Sequence, residues 1–210
     1  MIYPQKYKID HNSNMPSEIL SDAHICQKVK YWFGVRFFYG TAISAQEEVD
    51  GKRVIACYEN LFRDFFRKRK IHHAVEIGTK YGLATLLIAH CVPRVTTIDV
   101  IPRTEPLELW RFFGNTGSKI TYAVVDDNKE KQEYLKDLNF DFAFVDGNHG
   151  YEEVKLDFEC VKKCGRVLFH DYGTTGNTHK KGVVEFVNKE LPREEVEIKQ
   201  PFAYWEKRDE

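Results

Sequence analysis

The chain has 210 residues, 42% of them hydrophobic and 30% charged, with a formal net charge of −1; that is enough for one domain with a real core, and it offers no basic face for nucleic acid. No apolar run approaches the roughly 20 residues that span a bilayer, and the first residues lack the apolar centre of a secretion signal. The five cysteines (Cys26, Cys57, Cys91, Cys160, Cys164) are odd in number and scattered, as expected of reduced thiols in a cytoplasmic protein.

Residues 1–57 carry an aromatic cluster (Tyr31, Trp32, Phe33, Phe37, Phe38, Tyr39) without strand–helix alternation. They read as an N-terminal extension, either a lid over a substrate pocket or a homodimer contact. Ser44 to Glu48 is the stretch of it expected to touch a cofactor. Residues 58–210 form the main domain. Leu61, Phe62, Phe65 and Phe66 are spaced as one face of a helix over Glu59–Arg69, and the basic run at its end, Arg67 to Lys70, complements the helix dipole. His73–Ile77 is predicted as a strand and Tyr81–Cys91 as a helix. Val95–Val100, Ile120–Val125, Phe140–Val145 and Val167–His170 read as further strands. Between and after them come helices at Leu107–Phe113, opened by Pro106, at Lys129–Leu138, at Tyr151–Lys163, stopped by Gly165, and at Val183–Leu191. Val196–Ile198 and Phe202–Trp205 are joined by too few residues for a crossover, so they must pair antiparallel. The pattern predicts an α/β fold: a Rossmann-like, seven-stranded, mostly parallel sheet with helices on both faces and the last strand antiparallel.

Polar residues gather at the expected C-terminal ends of the strands, where open α/β sheets bind ligands. The first is the turn Glu76-Ile77-Gly78-Thr79-Lys80-Tyr81-Gly82. Gly78 permits a positive φ and close approach of a ligand, and Gly82 lets the helix begin near the strand. Asp99, followed by Val100, ends the second strand and can accept from a ribose diol. A dinucleotide needs a second glycine where Lys80 stands, and Glu76 would repel a diphosphate. S-adenosylmethionine carries an ammonium and a sulfonium, both attracted by a carboxylate. It is therefore preferred to NAD, and a turn that merely packs is the other reading. Asp146 with His149, and His170 with Asp171, end the fourth and fifth strands. As neighbours in the sheet, these strands would bring Asp146, His170 and Asp171 together.

The stretches VEIGTKYG, TTIDV, VVDDNKE, FAFVDGNHGYEEVKLDF and VLFHDYG follow in order. Over roughly residues 59–190 they resemble the class I S-adenosylmethionine-dependent methyltransferases. Within that class they are similar to the small O-methyltransferases related to macrolide-sugar methyltransferases and cephalosporin-hydroxylase-like proteins. The resemblance implies that Glu76, Gly78, Thr79 and Gly82 line the methionine part of the cofactor, that Asp99 holds its ribose, and that Asp126 lies by the adenine amino group. Asp127 stands where the family usually has serine. Asp126 and Asp127 also read as helix-capping acids. Related enzymes carry a divalent ion, which implies Asp146, His170 and Asp171 as its ligands and His149 as the general base. Carboxylates suit magnesium. His170, a departure from that family's ligand set, suits manganese, iron or zinc.

Plainer readings stand beside these. Asp146 and His149 could cap the following helix, His170 and Asp171 could be a buried hydrogen-bonded pair, and His72, His73 and His90 read as strand-edge or core-face residues. The polar loop Gly173–Lys181 reads either as a cover over substrate or as plain surface. The expected activity is S-adenosylmethionine-dependent methylation of a hydroxyl on a small molecule, a sugar or a phenolic compound, assisted by Mg2+ or another divalent ion. The alternatives are a protein that binds the cofactor without methyl transfer and an NAD-dependent oxidoreductase. No Asn/Asp-Pro-Pro-aromatic motif for an extruded base is present, and neither a nucleic-acid nor a membrane partner is expected.

Overall fold

The computed structural model describes residues 62–114, 116–173 and 181–208. The expected N-terminal extension, Ser44 to Glu48 within it, Cys26, Cys57 and residues 174–180 of the polar loop lie outside this set. Seven strands and six α-helices are described: α1 (62–67), β1 (His73–Ile77), α2 (Leu83–Cys91), β2 (Arg94–Asp99), α3 (Glu105–Phe112), β3 (Ile120–Val124), α4 (Asn128–Lys136), β4 (Phe142–Val145), α5 (Tyr151–Val161), β5 (Arg166–Phe169), α6 (Lys181–Glu190), β6 (Val196–Lys199) and β7 (Phe202–Glu206). No described helix is long and apolar enough to cross a membrane.

The strands form one sheet in the order β3-β2-β1-β4-β5-β7-β6. β1 to β5 are parallel, and β7 runs antiparallel to both β5 and β6. The expected architecture is therefore present, and β4 and β5 are neighbours, with Val145 beside Phe169. β1 is buried along its whole length, as a central strand covered on both faces must be. The sheet separates two apolar layers. One packs Phe62, Leu86, Trp110, Phe142 and Phe144 with α1 to α3, and the other packs Val75, Phe158, Phe169 and Phe186 with α4 to α6.

Apart from α1, whose expected start lies outside the described residues, boundaries differ from the sequence expectation by at most two residues. β4 starts at Phe142 because Asp141 turns its side chain back to the backbone N–H groups of His72 and His73. α5 tightens into a 3-10 turn over Lys162–Cys164 before Gly165 ends it in a left-handed conformation. His73 is a core histidine, held by the Asn139 carbonyl at 2.7 Å and the Thr96 hydroxyl at 2.9 Å; burial lowers its pKa.

Candidate functional site

β1, β2, β4 and β5 end on the same side of the sheet because they are parallel. The β1 turn is bent by left-handed backbone at Gly78 (φ 98), Lys80 (φ 45) and Gly82 (φ 73). A side chain on Gly78 would collide with the carbonyl of Asp146 and come within 2.8 Å of the Gly147 nitrogen. What approaches Gly78 here is therefore the tip of β4, and this brings the two loops together. Gly82 likewise serves a role the sequence did not suggest. Its surface is covered by the Trp110 indole, whose Nε1 donates to the Gly82 carbonyl at 2.9 Å.

Beneath the turn lies a relay of hydroxyls. Thr79 donates to Thr97 (2.6 Å), and Thr97 (2.5 Å) and Thr85 both donate to Oε2 of Glu76. Glu76 has no exposed surface, and its Oε1 has no partner. Burial, with the nearby charges of Asp146 and Asp99 adding to it, raises the carboxyl to about 8 despite the two hydroxyls. Three acids thus share this end of the sheet, and a buried carboxylate oxygen lacks a counterpart. That is a setting for a cationic ligand, and it suits an ammonium far better than a diphosphate. Asp99 accepts from the Lys80 N–H through Oδ2 (2.8 Å) and from the Ile101 N–H through Oδ1 (3.0 Å), so it ties the two turns together. Val100 and Ile101, just beyond, are exposed apolar residues. Asp127 caps α4 by accepting from Glu130 N–H at 2.8 Å, while Glu130 reaches back to the Asp126 N–H at 2.6 Å. This resembles a capping box, with the return bond falling one residue before the N-cap.

The reacting end gathers at β4 and β5. His170 Nδ1 lies 2.6 Å from Asp146 Oδ1 and 3.6 Å from Asp171 Oδ2. His149 Nε2 lies 3.0 Å from Asp171 Oδ2 and 3.4 Å from Asp146 Oδ1. One donor atom from each of the four residues falls within 4.8 Å of the others. Contact with Asp146, then with Asp171, raises the His149 imidazole to about 9 against the effect of burial. Yet Nε2, shut off from solvent, has no aligned hydrogen-bond partner. The contacts are ion pairs without an aligned N–H···O bond. Burial works to raise the Asp146 carboxyl, but His170 and His149 outweigh it and hold it below the usual range. Asp171 adopts φ 60, a left-handed backbone rare outside glycine, which is the kind of strain that collects at functional sites. Neither Asp146 nor His149 caps α5. The N-cap is Gly150, whose N–H is taken by the Asn148 side chain.

The spacing suits a metal ion. Adjacent donors on an octahedral ion bound at about 2.1 Å are about 3 Å apart. Two of these pairs, at 2.6 and 3.6 Å, bracket that figure, the shorter being a His170–Asp146 hydrogen bond whose place an ion would take. Behind the site, Lys131 of α4 and Asp157 of α5 form a buried ion pair, and Asp157 Oδ2 lies 3.1 Å from where a Cβ of Gly147 would be. His170 is walled by Phe202 (5.5 Å between ring centres) and Phe144 (6.2 Å). A separate hollow lies between α1 and the β6–β7 hairpin, lined by Phe65, Arg69, Lys199 and Tyr204. It is away from the strand tips and shares only the Phe202 wall with them.

Residues 75–172 match the family described as methyltransferase domain. The chain is similar to that family over this stretch. No curated protein matches the chain. Solved structures share its fold at low identity. The O-methyltransferase TomG from Streptomyces achromogenes, in complex with S-adenosylmethionine, is 18% identical with a TM-score of 0.56, covering 90% of this chain and 91% of its own. An O-methyltransferase from Bacillus cereus, in complex with S-adenosylhomocysteine, is 15% identical with a TM-score of 0.57, covering 91% and 94%. A Staphylococcus aureus protein assigned as a caffeoyl-CoA O-methyltransferase is 17% identical with a TM-score of 0.59, covering 86% and 99%. The class I methyltransferase fold expected from the sequence is thus present, and the family match runs from the glycine turn to the His170–Asp171 pair. Four partners in the candidate site escaped the sequence reading. Thr85 and Thr97 look like ordinary helix and strand residues, Trp110 lies 28 residues from the glycine it covers, and Phe202 belongs to the last strand.

Proposed function

We propose that the protein transfers the methyl group of S-adenosylmethionine to a hydroxyl of a small molecule, a sugar or a phenolic compound, with a divalent ion held by Asp146, His170 and Asp171. One observation carries this reading: at adjoining strand tips a buried acid lacks a counter-charge, and beside it two acids and two imidazoles converge. The cofactor in the complexes of TomG and of the Bacillus cereus enzyme supports the choice of methyl donor.

In this reading the first turn receives the methionine end. Gly78, Thr79 and Gly82 shape the turn, and Glu76 gives up its proton to meet the ammonium as a carboxylate. Asp99 keeps lone pairs free after serving two loop amides, and these accept from the ribose diol. Val100 gives the adenine an apolar edge, with Asp126 and Asp127 at its far side. Methyl transfer is an in-line displacement, and holding the two reactants in line can be worth about 7–11 kcal/mol. His149 Nε2 takes the proton of the acceptor hydroxyl from the fraction of rings that has lost its own; because Asp146 and Asp171 hold the imidazolium to about 9, turnover should rise with pH toward that value. A bound divalent ion would supply Lewis acidity, orienting that hydroxyl and lowering its pKa.

The acceptor is a small molecule and not a nucleic acid. The free thiols of Cys160 and Cys164 fit a cytoplasmic setting. Residues 1–57 cover the acceptor or join two copies into a homodimer. The deciding experiment is calorimetry with S-adenosylmethionine and S-adenosylhomocysteine. Binding of both is expected; binding of neither rejects the proposal.

A further inference from the structure

Resting on the reading of the site just given, we infer that it is built for a nitrogen-accepting transition ion of the manganese, iron, cobalt or zinc type and selects against magnesium, and that His170 makes the selection. Three observations lead there. First, His170 presents Nδ1 toward both carboxylates of the set, 2.6 Å from Asp146 and 3.6 Å from Asp171. Second, the ring has little room to turn away. His170 is 8% exposed, Phe202 and Phe144 pack against it at 45° and 49°, and its backbone N–H is fixed to the Val145 carbonyl at 3.0 Å. An ion entering between Asp146 and Asp171 therefore meets an imidazole and cannot replace it with water. Third, the ring nitrogen of His149 faces the same space without an aligned partner, so a second imidazole stands beside the first.

Magnesium takes oxygen ligands in a strict octahedron and gives up its waters reluctantly. An imidazole fixed in its path is a poor exchange for water. Manganese, iron, cobalt and zinc accept nitrogen readily, and for them the same ring strengthens the site. The carboxylates attract any divalent cation, so the discrimination rests on His170.

The test uses the full-length protein stripped of metal, titrated calorimetrically with Mn2+, Co2+, Zn2+ and Mg2+, with the visible spectrum of the Co2+ form as a second readout. Each transition ion is expected to bind at least about tenfold more tightly than Mg2+, and Co2+ is expected to show nitrogen-ligand bands. His170→Glu, which offers oxygen instead, should lose those bands and move the preference at least about tenfold toward Mg2+. His170→Gln, close in volume, guards against a folding artefact: a melting curve like the parent's with the same loss of transition-ion affinity supports the inference. Mg2+ bound as tightly as Mn2+, a Co2+ spectrum unchanged in both variants, or no ion bound at all overturns it. S-adenosylmethionine binding measured on the same samples separates the two readings, because cofactor binding alongside an oxygen-only metal preference would sink this inference and leave the methyltransferase reading intact.

Discussion

The Trp110 indole lies on Gly82 and donates to its carbonyl at 2.9 Å, so α3 clamps the start of α2 from 28 residues away. The clamp leaves no space for a side chain at residue 82: a Cβ there would come within 2.7 Å of the indole, on a backbone with φ 73. Gly82→Ala should therefore destabilise the fold by about 2–4 kcal/mol, combining left-handed strain and overpacking. Urea denaturation would measure it. Trp110→Phe, which keeps the ring but loses the donor, should cost about 1 kcal/mol.

Glu76 predicts a pH dependence with a definite sign. Its folded carboxyl keeps its proton to about 8, while the unfolded one loses it near 4.5. Between those values the folded state binds more protons. The stability this contributes is complete below about 4.5 and is lost as pH rises through about 8. Urea midpoints should fall across that window, by up to about 5 kcal/mol in stability, and Glu76→Gln should flatten the fall. If an ammonium meets Oε1, cofactor binding at pH 7 should release protons, seen as a binding heat that changes with the buffer's ionisation enthalpy.

Asp99 has two duties that can be separated. Asp99→Asn leaves one of the amides of Lys80 and Ile101 without its acceptor, at a cost of about 1–3 kcal/mol in stability. If the carboxylate also holds a ribose, the affinity for S-adenosylmethionine should fall at least about tenfold. Affinity unchanged beside a lowered stability would confine Asp99 to the loops.

The Lys131–Asp157 pair is buried on both sides, at 5% and 2% exposure. Lys131→Met alone should destabilise by about 3–5 kcal/mol, because it strands a carboxylate; pairing it with Asp157→Leu should recover most of the loss. A double-mutant cycle on denaturation midpoints checks this. Asp157 also rests against Gly147, so turnover in the double variant reports whether the loop bearing Asp146 and His149 needs that support.

At the reacting end, Asp146→Ala and His149→Ala should each lower turnover by at least about a hundredfold while leaving S-adenosylmethionine affinity within about threefold. Matching losses in affinity would contradict the roles given to these two residues.

Much of this could be read from the chain because its signals are local. A buried strand that ends abruptly on an acid, as Phe142–Val145 does before Asp146, marks a sheet tip without any knowledge of neighbours. Glu76, Asp99 and the His170–Asp171 pair were legible in the same way. The rest depends on contacts between distant residues. Asp157 sits in mid-helix with Glu152 and Glu153 upstream and looks solvated; only Lys131 from another helix makes it a core residue. Gly78 reads as room for a ligand until the tip of β4 is seen to fill that room. The pairing of the last two strands followed from their short connection, whereas the insertion of β7 beside β5 did not, since nothing local to residues 202–206 names that partner.

That insertion has a consequence for how the protein is made. Because β7 lies between β5 and β6, β5 keeps a bare edge until residues 202–206 have left the ribosome. Phe202 arrives with the same strand, so the wall behind His170 is set only after β1 to β6 have been made. A nascent chain stopped short of residue 202 would display an open β-edge and an unsupported imidazole at once, exposing it to aggregation and leaving it inactive through a single missing strand.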